Sequence, residues 1–94
     1  MEQTIDKAAL LDRVTALKQS LEALPPSEPI QKAIYHADQL HIALKASHNE
    51  GIRFAAFTVA RLIKNSEREL PPQIPALMVE IKAALEAMGI DLQK

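Results

Sequence analysis

Ninety-four residues make room for one domain, and a chain this short buries only about 60–65% of the surface its unfolded form exposes. Eleven basic against twelve acidic side chains leave a net charge of −1, which excludes a global attraction to nucleic acid or anionic membrane and confines any such binding to a local patch. The lack of cysteine excludes a disulfide framework, a thiolate metal site and a cysteine nucleophile.

Nearly half of the residues are apolar, yet only Tyr35, Phe54 and Phe57 are aromatic, so the expected core is made of Leu, Ile, Val, Met and Ala. Such a core stabilises modestly, and self-association is a common remedy. The start, Met1 to Asp6, lacks the basic and apolar regions of a signal peptide, and no apolar run approaches the roughly 18 residues of a membrane span. A cytoplasmic protein with no membrane contact is the expectation.

Pro25-Pro26 with Pro29, then Gly51, then Pro71-Pro72 with Pro75, and finally Gly89 cut the chain into four segments of helical periodicity. None alternates apolar and polar residues over a strand length. The first helix is predicted over 4–24, where Leu10, Val14, Leu17, Leu21 and Leu24 step by four and three along one seam. Ala9, Ala16 and Ala23 repeat beside it and would admit a close neighbouring helix.

The second helix is predicted over 28–49, with Ser27 as N-cap and Glu28 and Pro29 in the first turn, where a negative charge and a missing N–H are both favourable. Ile30, Ala33, Ile34, Ala37, Leu40 and Leu44 form its apolar face. Gly51 is read as the left-handed residue that reverses the chain, the competing reading being a glycine inside one long helix. The third helix, over 52–69, buries Ile52, Ala56, Val59 and Ile63, with Ala55 and Leu62 at the flank; Pro71 halts it by pushing Leu70 out of the helical region. The fourth, over 75–88, presents Leu77, Met78, Ile81, Ala84, Leu85 and Met88, and Gly89 with Ile90 has the pattern of a Schellman cap. Short joints between helices favour antiparallel neighbours, so the expected fold is all-α, a single up-down bundle of about four helices spanning 1–94.

Chemistry-bearing patterns are sparse. His36, His41 and His48 and several serines are present, but no nucleophile-elbow glycines surround any serine, and two glycines cannot make a phosphate-cradling loop. No enzyme and no cofactor are expected. A metal would have to use the histidines of the second helix, which stand five and seven residues apart, whereas helical ligands of one ion stand three or four apart. His41 and His48 fall on one face two turns apart if the helix continues that far, bordering the core among Ile34, Ala37 and Leu44; there they would be neutral packing groups or pH-sensitive contacts, with His48 also near the negative end of the helix dipole.

The third helix carries the sharper pattern. At about 100° per residue, Arg53, Arg61, Lys64 and Arg68 gather in one sector with Phe57 in its middle and Phe54 at its edge. Phe57 either enters a core with arginine stems packed around it or anchors a protein interface ringed by guanidinium groups, a composition enriched at hot spots and suited to an acidic partner. On the second helix Tyr35 and Ile42, with Ala46, form a minor apolar stripe away from the main face, a possible oligomer face that favours a dimer. A nucleic-acid regulator using the same basic stripe is the alternative, opposed by Glu67 and Glu69 and by the near-zero net charge. The function expected from the sequence is a noncatalytic helical interaction module, of a regulatory, adaptor or immunity type, that self-associates and presents the third helix to another protein.

Overall fold

The periodicity of the four segments emerges as four α-helices in a computed structural model that describes residues 7–90. They are α1 (Lys7–Glu22), α2 (Glu28–Ala46), α3 (Asn49–Asn65) and α4 (Gln73–Ala87), with a single 3₁₀ turn at Glu67–Glu69 and no strand among the described residues. Pairings along the helices fix their directions. Lys7 Nζ donates to Ser47 Oγ at 2.7 Å and Lys18 Nζ to Asp38 Oδ1 at 3.0 Å, so α1 and α2 run antiparallel. The two-residue joint Ser47-His48 turns α3 back along α2, the most extensive helix pair, while Arg13 Nε meets Glu80 Oε1 at 2.9 Å and ties α1 to α4.

The core is apolar throughout. Leu10, Val14, Leu17 and Leu21 of α1 are fully buried against Ala37, Leu40 and Leu44 of α2, Ile52, Ala56 and Val59 of α3, and Ile74, Ile81 and Leu85 of α4. Removing each such side chain from water contributes about 1.5–3 kcal/mol for a Leu or Ile. No polar or charged residue is buried among the described residues; His41 is half-buried at the border of the core, and His48 is exposed, away from the border expected for it. Two departures in the apolar stripes are that Ile74 is buried and Met88 is exposed. The reason is that α4 starts at Gln73 and ends at Ala87, which brings Ile74 into the stripe and leaves Met88 outside the helix. Pro75 then sits within the first turn, where its missing N–H has no partner to lose.

Helix ends account for the other differences. α1 stops at Glu22, its last turn tightened by Leu24 N–H bonding the Leu21 carbonyl at 3.1 Å; residues 4–6 of the expected helix lie outside the described residues, and Ala23 of the alanine repeat is exposed. Ser27 caps α2 as expected, its Oγ accepting from Ile30 N–H. The reversal after α2 is made by Ser47, which takes φ 56°, and not by Gly51. Ser47 N–H bonds the Leu44 carbonyl at 3.1 Å and His48 N–H the Ala43 carbonyl at 3.0 Å, a Schellman pattern closed by a serine. Gly89 and Ile90 close α4 as predicted: Gly89 has φ 90°, Ile90 N–H bonds the Leu85 carbonyl at 2.9 Å, and Ile90 is buried.

Candidate partner-binding faces

All three aromatic residues lie outside the core. Tyr35 is 59%, Phe54 66% and Phe57 38% exposed, with Ile42, Val79 and Met88 the other large apolar side chains at the surface among the described residues. Aromatic rings supply the largest apolar area a chain has to bury, and here α3 divides two of them between its flanks. With Ile52, Val59 and Ile63 inward, the 100° step sends Phe57, Ala60 and Lys64 toward α4 and Phe54, Thr58 and Leu62 toward α2. The single sector expected from the sequence is thus two faces.

The face toward α4 carries the charge. Phe57, Ala60, Arg61 and Lys64 of α3 and Lys82 of α4 line one cavity of about 200 Å³, and none of these three cations is in an ion pair among the described residues. Arg53 lies farther along, lining a second cavity with Asn49, Glu50, Gly89 and Ile90. Arg68 leaves the set. The α-helix ends at Asn65 and Arg68 stands on the 3₁₀ turn, so the angular step that aligned it with Arg61 no longer applies. Val79 and Lys82 were missed by the sequence reading, although Val79 is an apolar residue off the Ile74, Met78, Ile81, Leu85 stripe, which is the signal that marks it.

The face toward α2 is neutral. Tyr35, His36 and Ile42 of α2 with Phe54 of α3 edge a cavity of about 430 Å³ that no carboxylate, lysine or arginine lines. The His36 ring meets Tyr35 edge-on at 5.1 Å between centroids and Phe54 at 6.3 Å, linking the two helices through one aromatic cluster. Thr58 Oγ1 donates to the Phe54 carbonyl at 2.8 Å, so that hydroxyl is satisfied within its own helix. Tyr35 and Ile42 therefore do share a face, and the structure adds His36 and Phe54 to it.

His36 and His48 line the cavity between α2 and α3, and His41 stands apart from them. His36 faces α3, His41 lines a cavity toward α1 with Lys18 and Asp38, and His48 is not on α2. It is the N-cap of α3, its Nδ1 accepting from Gly51 N–H at 2.9 Å, so the shared face proposed for His41 and His48 does not exist. Among the described residues no group of three His, Asp or Glu stands close enough to hold an ion, and no helix is long and apolar enough to cross a membrane. Compared with known proteins, the chain matches no family model, no curated protein and no solved structure.

Proposed function

We propose that this chain is a noncatalytic helical interaction module that pairs with a second copy of itself and presents α3 to another protein. The observation that carries the reading is that every aromatic residue of the chain stands at the surface while the core closes without them. Exposed rings beside arginine are the composition of interface hot spots. The two faces suit different occupants. In a two-fold dimer each patch meets its own copy, so cations on the patch would be set against cations. Phe57 with Arg61, Lys64 and Lys82 is thereby disfavoured for self-pairing and suited to an acidic protein. The face of Tyr35, Ile42 and Phe54 meets a copy of itself without setting any lysine, arginine or carboxylate of its lining against its like.

Two measurements test this. Solution mass across protein concentration is expected to rise from monomer to dimer, with Ile42→Glu remaining monomeric and Phe57→Ala still dimerising. Partner protein captured on the immobilised chain is expected to be lost with Phe57→Ala and Arg61→Glu while their thermal unfolding stays close to that of the parent. Retention of partner by both variants would reject α3 as the presented helix. Tight binding of duplex DNA that falls steeply with salt would put the nucleic-acid alternative in its place.

A further inference from the structure

We propose that the seam between α3 and α4 receives one acidic amphipathic helix of the partner protein, docked along the bundle as a fifth helix. This rests on α3 being the partner face and adds the chemistry of what binds there. The seam is the least closed side of the bundle, since of the four neighbouring helix pairs α3 and α4 meet along the fewest residues. Three cavities of about 250, 200 and 220 Å³ follow one another along it, from Asn49 and Ile90 at one end, past Phe57 and Lys82, to Ile63 and Pro75 at the other. Its floor is apolar, formed by Ala60, Ile63 and Met78, and Phe57 and the 66%-exposed Val79 stand on its two walls. An elongated apolar trough between two helical ridges is the shape that takes the i, i+3, i+4, i+7 face of another helix.

Charge selects among amphipathic helices. Arg61 and Lys64 on one wall and Lys82 on the other are free of ion pairs among the described residues, and Arg53 extends the cationic wall toward the α3 N-terminus. Glu50 and Glu67 line the two ends. The trough is therefore cationic in its middle and acidic at its limits, which asks for carboxylates on the central turns of the occupant and disfavours a continuous phosphate backbone. From Arg53 to Lys64 the helical rise is about 16 Å, three turns, and along the whole of α3 from Asn49 to Asn65 it is about 24 Å, so an occupant of about 16 residues spans the seam. Among its described residues a second copy does not supply such a helix: its own exposed apolar stripe on α2, Tyr35 and Ile42, borders a cavity that no carboxylate lines, and Asp38 of that helix is paired with Lys18 at 3.0 Å.

The test is selection from a displayed random library of about 16-residue peptides against the full chain, followed by affinity and amide-shift measurements on the enriched peptides. Enriched sequences are expected to carry apolar residues at helical spacing with Asp or Glu between them, and to shift amides on both α3 and α4. Val79→Glu, Lys82→Glu and Phe57→Ala are each expected to weaken binding about tenfold or more, the loss typical of a hot-spot contact. Enriched peptides that are basic, neutral or without helical spacing overturn the proposal. Binding that is weakened by Phe57→Ala but untouched by both α4 substitutions overturns the seam and leaves the α3 reading standing; binding untouched by all three rejects both. Circular dichroism of each variant, expected to match the parent, separates lost contacts from lost fold.

Discussion

Ser47, His48 and Gly51 exchange the roles that their residue types suggest. The left-handed position falls on a serine, which meets a Cβ clash that glycine avoids, and the glycine falls in the first turn of a helix. The reason for the glycine is its neighbour. A Cβ at Gly51 would stand 2.6 Å from His48 Nδ1, the atom that accepts the Gly51 N–H, so any side chain there displaces the cap. The capping bond uses the Nδ1 lone pair and leaves the ring proton to Nε2. Two outcomes follow for chemical denaturation. Ser47→Gly is expected to stabilise the chain by up to about 1 kcal/mol, because the left-handed conformation then costs nothing sterically and the Schellman bonds are backbone bonds, while the bond lost from Lys7 Nζ to Ser47 Oγ is an exposed one. Gly51→Ala is expected to be neutral or destabilising alone but stabilising by up to about 1 kcal/mol in a His48→Ala background, where no imidazole opposes the better helix former. Equal effects in both backgrounds would show that the histidine does not cap.

Within α3 the same seventeen residues serve the core and two outward faces. Ile63 at 3% exposure and Phe54 at 66% lie on one helix, and substitution separates their roles. Ile63→Ala is expected to cost about 2–5 kcal/mol in urea unfolding, as a buried aliphatic truncation does. Phe54→Ser is expected to stay within about 0.5 kcal/mol as measured on dilute monomer, because the ring leaves little buried area behind. A large loss for Phe54→Ser would make the ring part of the folded core and remove the neutral face as an interface. α4 differs in kind: its exposed Val79 and half-buried Lys82 matter only because α3 stands beside them across an open seam.

The bundle as a whole is built on a small aliphatic core with few ties across its surface among the described residues. The described ion pairs Arg13–Glu80 and Lys18–Asp38 are partly solvent-exposed, and pairs of that kind contribute about 0–1 kcal/mol each. In the dimer we propose, association is a substantial part of the working stability. By mass action, the melting temperature of the parent chain is expected to rise with protein concentration, and that of Ile42→Glu to be independent of it. A concentration-independent melt for the parent would mean that the neutral face is not a dimer contact in solution.

Four helices, their buried seams and the caps at Ser27 and at Gly89-Ile90 were legible in the sequence, because apolar spacing and cap chemistry are local and survive without knowing what packs on what. Tyr35, Ile42 and Phe57 were also legible as apolar residues off the core stripes, with Arg61 and Lys64 beside Phe57. The corner at Ser47 was not legible, since a helix end there depends on His48 reaching the amide of Gly51, a bond between side chain and backbone that residue propensities do not encode. Nor was the grouping of the surface. A helical wheel gives the angle of a side chain about one axis, whereas a binding face is set by which neighbouring helix flanks it. Only packing could part Phe54 from Phe57, remove Arg68, and bring Val79 and Lys82 of α4 alongside Phe57, because those relations join residues from different segments around one core.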